Sequence, residues 1–260
     1  MTVDNHTLAT LRAGDPAFGA WALSMSPRVA EVLSTGGLDW VGIDTEHSPV
    51  DSRRVESMVR AVERGRATPV VRLPSVERAV DGGCKHALDA GARGLIVPGV
   101  ESAREAERVV EAARFPPEGT RGVAGTTRAN GYGERFAEYV AGANDALLLV
   151  VQVETPTAVE RVDDIVAVDG VDVAFVGEND LSAAYGHPGE KDHEAVRSAV
   201  DATLEAARAH GVHPGIGGRT PASMTERIDR GFRFFLLGAD LTFAREGVAE
   251  FLAAAEGVER

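Results

Sequence analysis

Two apolar runs near the middle of the chain end abruptly in acid. Residues 147–153 read Leu-Leu-Leu-Val-Val-Gln-Val and meet Glu154; residues 171–176 read Val-Asp-Val-Ala-Phe-Val and lead through Gly177, Glu178 and Asn179 to Asp180. Two carboxylates from neighbouring strand ends, with the other positions left to water and ligand, suit the octahedral all-oxygen coordination of Mg2+ or Mn2+. Either acid alone serves equally well as the cap of a following helix; the pairing is what points to a metal. Upstream, Asp44 precedes His47 by three residues. A histidine with a carboxylate to orient it is the usual general base, whereas an isolated Asp-x-x-His reads as a solvated loop. Arg72 follows Pro69-Val70-Val71. A permanent cation there would hold a carboxylate or stabilise an oxyanion, or else form a salt bridge to Asp44 or Glu154. The backbone N–H groups of Gly177 to Asp180, at a strand-to-helix turn, offer a further place for a substrate carboxylate.

These residues can meet only if the chain brings several strand ends to one place. Helical patterns that close on glycine recur at Gly36-Gly37, Gly91, Gly211 and Gly231, each followed within a few residues by an apolar run. Glycine is the common residue just past a helix because it enters the left-handed region without strain. Repetition of this unit gives candidate strands at 18–23, 40–44, 69–73, 94–98, 146–153, 171–176, 212–216 and 232–237. Helical patterns lie at 27–35, 51–64, 76–90, 102–114, 157–168, 193–210, 222–230 and 241–255. The strands are apolar on both faces and alternate with helices, which implies a parallel sheet covered on both sides. The expected fold is a (β/α)8 TIM barrel, one domain over residues 1–260. An open doubly wound sheet would need a glycine-rich phosphate fingerprint after the first strand, and Trp21-Ala22-Leu23-Ser24-Met25 has none. Chemistry in such a barrel sits at the C-terminal ends of the strands, where Asp44, His47, Arg72, Gln152, Glu154 and the 177–180 turn all fall. Residues 115–144 break the rhythm. This excursion, with a helical segment at 134–140, is expected over a barrel mouth or at a subunit contact.

Composition narrows the partners. A formal charge of -13 disfavours nucleic acid and anionic membrane. No apolar run approaches the roughly 20 residues of a membrane helix, and the first residues carry no leader pattern, so a cytoplasmic protein is expected. The single cysteine, Cys84, excludes an internal disulfide framework. Lys85 and Lys191 are the only lysines; one lies in a helical pattern and the other in a polar turn. Neither is placed for imine chemistry, which needs a lysine inside the barrel, so carbonyl activation falls to a metal. His6, in a tail, and His86, His187, His193, His210 and His213, in helices or beside turns, are expected to be structural or solvated.

Five motifs, in order, carry a resemblance. Trp-Val-Gly-Ile-Asp-Thr-Glu-His at 40–47, Pro-Val-Val-Arg at 69–72, Phe-Pro-Pro-Glu-Gly-Thr-Arg-Gly-Val at 115–123, Val-Gln-Val-Glu-Thr at 151–155 and Phe-Val-Gly-Glu-Asn-Asp-Leu-Ser at 175–182 resemble the HpcH/HpaI aldolases. These are metal-dependent class II pyruvate aldolases of 2-keto-3-deoxy sugar acids and 4-hydroxy-2-oxo-heptanedioate. The resemblance runs from about residue 18 to residue 252. It implies that Glu154 and Asp180 bind a divalent ion chelated by pyruvate, and that His47, oriented by Asp44, is the acid/base through a water. Arg72 would stabilise the enolate and keto oxygen, with Gln152 facing the substrate and Trp21, Gly177 and Asn179 completing its contacts. Asp89 matches an acid that reaches a neighbouring subunit's site, so a hexamer is expected. Two departures stand out: Gly177-Glu178-Asn179-Asp180-Leu181 where the family commonly has Gly-Pro-x-Asp-Leu, and a glycine-rich 215–219 segment without the apolar residue often found near pyruvate. Residues 127–133 look closer to the sugar-diacid branch.

The expected activity is a retro-aldol cleavage of a 2-keto-3-deoxy (4-hydroxy-2-oxo) acid to pyruvate and an aldehyde, with Mg2+, Mn2+ or Co2+. Alternatives are a decarboxylase or C–C hydrolase using the same enolate, for instance on oxaloacetate, or a non-catalytic barrel that binds keto acids.

Overall fold

A computed structural model describes residues 4–49, 51–218 and 220–255; Arg219, the last residue of the 215–219 segment, lies outside them. Eight strands, β1 (Ala17–Ala22), β2 (Trp40–Asp44), β3 (Thr68–Arg72), β4 (Gly94–Val97), β5 (Leu148–Val153), β6 (Val173–Val176), β7 (His213–Gly217) and β8 (Phe234–Ala239), pair in sequence order. All pairings are parallel, and β8 returns to β1 to close the barrel. The expected TIM barrel is therefore the fold, with every strand boundary within two residues of the expected one.

Side chains on a strand alternate between its two faces. One set, Val41, Ile43, Val71, Leu95, Val97, Leu149, Val151 and Ala174, packs under the surrounding helices. The other, Trp21, Trp40, Val70, Ile96, Leu148, Val150, Phe175 and Phe234, fills the barrel. Trp40 stacks on Phe234 with ring centroids 4.5 Å apart. A Cβ on Gly19 would fall within the Trp40 indole and one on Gly42 within the Trp21 ring, so the two glycines are what admit two tryptophans. Continuing the inward parity towards the C-terminal ends brings Asp44 above Trp40, Arg72 above Val70, and Gln152 and then Glu154 above Val150. The register sets Asp44 directly beside Arg72.

The opposite end of the barrel is plugged. His6 belongs not to a tail but to a helix, His6–Arg12, whose Leu8 and Leu11 are buried in the barrel cluster. Asn5 caps that helix, and its Nδ2 donates to the Arg93 and Ala146 carbonyls at 2.8 and 2.9 Å while Thr68 donates to its Oδ1 at 3.0 Å. His6 Nε2 lies 2.9 Å from Asp39 Oδ1.

Two helices are less regular than their sequence pattern. Over 76–90, helical turns at Val76–Arg78 and Cys84–Asp89 are separated by a kink within Ala79–Gly83, where Asp81 and Gly82 leave helical dihedrals and Gly82 takes φ +90°. Over 157–168 the helix divides at Arg161 into Pro156–Glu160 and Val162–Val166. The excursion lies at the plugged end, not over the mouth formed by the C-terminal strand ends of its own barrel. Its helix, Phe136–Gly142, packs Tyr139 on Phe115, and Arg121 inserts between them and Asp89. A cleft of about 1440 Å3 between the excursion and the helix His6–Arg12 also opens at this end, remote from the acids.

Candidate active site

Asp44 is fully buried and accepts a two-pronged contact from Arg72, Nε to Oδ1 at 2.9 Å and Nη2 to Oδ2 at 2.8 Å. The third face of the guanidinium, Nη1, is 3.0 Å from Glu46 Oε2. Beneath it lies the Trp21 ring, 4.4 Å from the guanidinium carbon. Arg72 is thus fixed on its sides and base, and the plane of a guanidinium is well suited to such a seat. Trp21 is buried, in contact with Arg72 and, edge to face, with Trp40. The salt bridge weighed as an alternative role for Arg72 is made, to Asp44, and it leaves part of the five-donor fork for a ligand.

His47 is the exposed member of the group. Asp44 Oδ1 accepts from the backbone N–H of Glu46 at 3.0 Å and of His47 at 3.5 Å. The expected carboxylate behind the imidazole is therefore a different one: His47 Nε2 lies 3.9 Å from Glu46 Oε2, because Asp44 is committed to Arg72. Asp44 orients His47 through the main chain. Glu46 had no separate role in the sequence reading, yet its carboxyl sits between Arg72 and His47. Burial pushes its pKa up, Arg72 and His47 pull it down, and Asp44 and Asp180 push it up again.

Glu154 is buried at the end of β5. Its Oε1 accepts from Gly99 N at 2.7 Å and its Oε2 from Gln152 Nε2 at 2.5 Å. Gly99 adopts φ +63° just after β4, a conformation that favours glycine and turns its N–H towards the acid. Burial raises the Glu154 pKa, the Gly99 hydrogen bond opposes it, and the negative charges of Asp180 and Glu46 add to it. Asp180, exposed, is carried by the short helix Glu178–Ala184 that starts directly after β6. Between the two acids lies Gly177. A Cβ there would be 2.8 Å from Glu154 Oε2 and 3.7 Å from Asp180 Oδ2, so the absence of a side chain keeps open the space both carboxylates border.

No three His, Cys, Asp or Glu side chains gather closely enough among the described residues to hold an ion alone. Two carboxylates, however, border one small space, and Gln152 Oε1 is buried there without a hydrogen-bond partner among the described residues. This donor set, hard oxygens with mutual repulsion that a cation would relieve, fits a divalent ion whose other positions are filled by water and an oxygen-rich ligand. Gly177 and Asn179 open the helix that carries Asp180, and Asn179 is exposed.

Glu178, the departure from the family pattern, turns out of this space. Arg227 Nη2 donates to its Oε1 at 2.7 Å and Nη1 to its Oε2 at 3.1 Å. Asp89 does not join the site of its own chain. It ends the helix that feeds the N-terminal end of β4 and accepts from Arg121 Nη2 at 2.6 Å. Lys85 is exposed on that same helix and outside the barrel.

A family profile described as HpcH/HpaI aldolase/citrate lyase matches residues 17–246. The chain is 42% identical over 246 residues to a hydroxypyruvate/pyruvate aldolase of Paraburkholderia phytofirmans, covering 92% of this chain and 93% of the relative. It is 38% identical over 237 residues to a 5-keto-4-deoxy-D-glucarate aldolase of Enterobacter sp., covering 91% of each. Among solved structures, an HpcH/HpaI aldolase/citrate lyase family protein of Burkholderia cenocepacia superposes with a TM-score of 0.90 at 36% identity, over 97% of this chain and 100% of that one. The chain belongs to the HpcH/HpaI aldolase/citrate lyase family.

Proposed function

We propose that this carbon–carbon lyase cleaves a 4-hydroxy-2-oxo acid of the 2-keto-3-deoxy type into pyruvate and an aldehyde, with Mg2+, Mn2+ or Co2+ held by Glu154 and Asp180. The observation that carries the reading is the pair of acids bordering the space at Gly177, in the same mouth as a seated arginine. That both named relatives are aldolases supports it. When bound, the ion supplies a Lewis acid that polarises the 2-oxo group of the substrate.

The chain's own residues do the rest. His47 is exposed to the mouth and, directly or through a water, takes the proton of the C4 hydroxyl. The C4–O bond becomes a carbonyl as C3–C4 breaks, and the electron pair of that bond passes into the pyruvate fragment as its enolate. Arg72 faces the developing negative oxygen, and its contacts to Asp44, Glu46 and Trp21 fix it there beforehand, so no reorganisation is needed as charge develops. Gln152 holds Glu154 and turns its own oxygen to a substrate donor. The N–H groups that open the helix at Gly177 and Asn179 receive the substrate carboxylate. His47 or a water returns a proton to C3 to give pyruvate. Working in the cytoplasm as a homo-oligomer, with Asp89 serving a neighbouring site, is part of the same reading; the exposed apolar residues of the helix Asp240–Ala255 support the oligomer.

The test is product formation. Purified protein with Mn2+ should release pyruvate and an aldehyde in equal amounts from a panel of 4-hydroxy-2-oxo acids, and condense pyruvate with aldehydes in reverse. Faster turnover of oxaloacetate than of every aldol would instead assign a decarboxylase, and pyruvate binding without turnover a binding protein.

A further inference from the structure

Glu178 is the first residue of the helix that carries Asp180, with Gly177 as its N-cap. Proline suits this position because its fixed φ is already helical, and a proline there would stiffen the turn through the main chain alone. Glutamate cannot fix its own φ. Its carboxylate is instead buried away from the acids and gripped by both terminal nitrogens of Arg227. Arg227 Nη1 also donates to the Gly217 carbonyl at the end of β7. A Cβ on Gly217 would lie 3.4 Å from Glu178 Oε2, an ordinary packing distance, so the carboxylate rests directly against the strand end. The pair ties together three pieces of backbone: the turn after β6, the end of β7 and the helix Pro221–Arg230. That helix has no fully buried residue, and Ile228, beside Arg227, is partly buried against the core.

We propose that Glu178 and Arg227 are a positioning pair, a side-chain clamp that sets the Gly177–Asp180 turn so that Asp180 meets Glu154 across the divalent-ion space. This deepens the metal-dependent reading above and rests on it. The clamp holds two residues from Asp180, the more weakly supported of the two acids. Glu154 is fixed by Gly99 and Gln152, whereas Asp180 has no hydrogen-bonded support of its own side chain among the described residues, so its placement depends on the turn.

Calorimetric titration of Mn2+ into the chelator-treated protein tests the clamp without reference to turnover. Arg227→Met should weaken Mn2+ binding by about 10-fold or more, within the range that outer partners of metal ligands contribute. It should lower kcat and also raise the keto-acid KM, because the turn that the clamp sets presents the Gly177 and Asn179 N–H groups to the substrate carboxylate. Arg227→Lys, which keeps the charge but not the fork, should fall between. In Glu178→Pro/Arg227→Met the buried charge is gone and the main chain is stiffened, and Mn2+ affinity should return to within about 3-fold of the parent. The double variant also decides the matter if Arg227→Met does not fold. Arg227→Met binding Mn2+ as the parent does, or a folded double variant binding no better than Arg227→Met or about 10-fold worse than the parent, would overturn the clamp. A parent that binds no divalent ion contradicts the metal reading itself, a result distinct from equal binding by parent and variant.

Discussion

At the scale of single residues, the mouth divides into a fixed part and a free one. Arg72, Asp44 and Glu154 are each held by two or more partners, while His47 is exposed with a single side-chain neighbour, Glu46. A proton carrier needs that freedom, and His47→Ala is expected to lower kcat by about 100- to 10,000-fold with little change in melting temperature; an unaltered kcat would remove His47 as the base. The raised pKa of Glu154 has its own consequence. A carboxyl that binds its proton more readily in the folded state than its ordinary 4.5 makes the fold less stable as pH rises through the raised value, and the loss is recovered as pH falls towards 4.5. Metal-free Glu154→Gln should therefore melt higher than the metal-free parent at about pH 8, with the difference vanishing towards the ordinary carboxyl pKa. Gln152 can accommodate this change by reversing its amide, since its Oε1 has no partner. Equal melting temperatures at both ends of the range would contradict it. That Asp44, Arg72, Gln152 and Glu154 come to one end of the barrel was legible in the sequence, because they lie at or next to the ends of apolar runs. Which carboxylate faces the imidazole was not, because Asp44 pairs with an arginine twenty-eight residues away. The direction of Glu178 was hidden for the same reason, its partner lying forty-nine residues on.

At the scale of elements, the alternation of glycine-closed helices and apolar strands was enough to predict all eight strands, since a strand buried on both faces leaves an unbroken apolar run. Short or polar-anchored pieces escaped. The plug helix His6–Arg12 spans seven residues, too few for a clear helical period, and what fixes it is the polar side chain of Asn5. Asn5→Ala should destabilise the protein by about 1–3 kcal/mol, because two carbonyls and the Thr68 hydroxyl lose a buried partner, measured by denaturant unfolding. A change within a few tenths of that unit would mean that Leu8 and Leu11 hold the plug unaided. The division of the 76–90 helix follows Gly82-Gly83 in the sequence, a signal outweighed there by the apolar period on either side. The helix Glu178–Ala184 was legible only as the strand-to-helix turn at its start, since seven residues are too few to set a clear apolar period.

At the scale of the whole molecule, one element is packed differently from the rest. The helix Asp240–Ala255 buries only Asp240 among its described residues, whereas Leu241, Val248, Phe251 and Leu252 are more than half exposed. Apolar groups aligned on an exposed helix mark a contact surface, and a homo-oligomer would cover it. Phe251→Asp should shift the elution of the protein on size exclusion to a smaller species, and a parent already eluting at the monomer volume would refute the oligomer. In an assembly, Asp89, at the plugged end of its own barrel, could serve another chain's mouth. The central claim concerns the acids at the open end and is tested most directly by removing what they are proposed to hold. Cleavage of a 4-hydroxy-2-oxo acid should cease in chelator-treated protein, return on addition of Mg2+, Mn2+ or Co2+, and leave no covalent adduct when pyruvate and borohydride are added together. Cleavage that persists at full rate after chelation, or borohydride trapping of pyruvate on Lys85 or Lys191, would contradict the account.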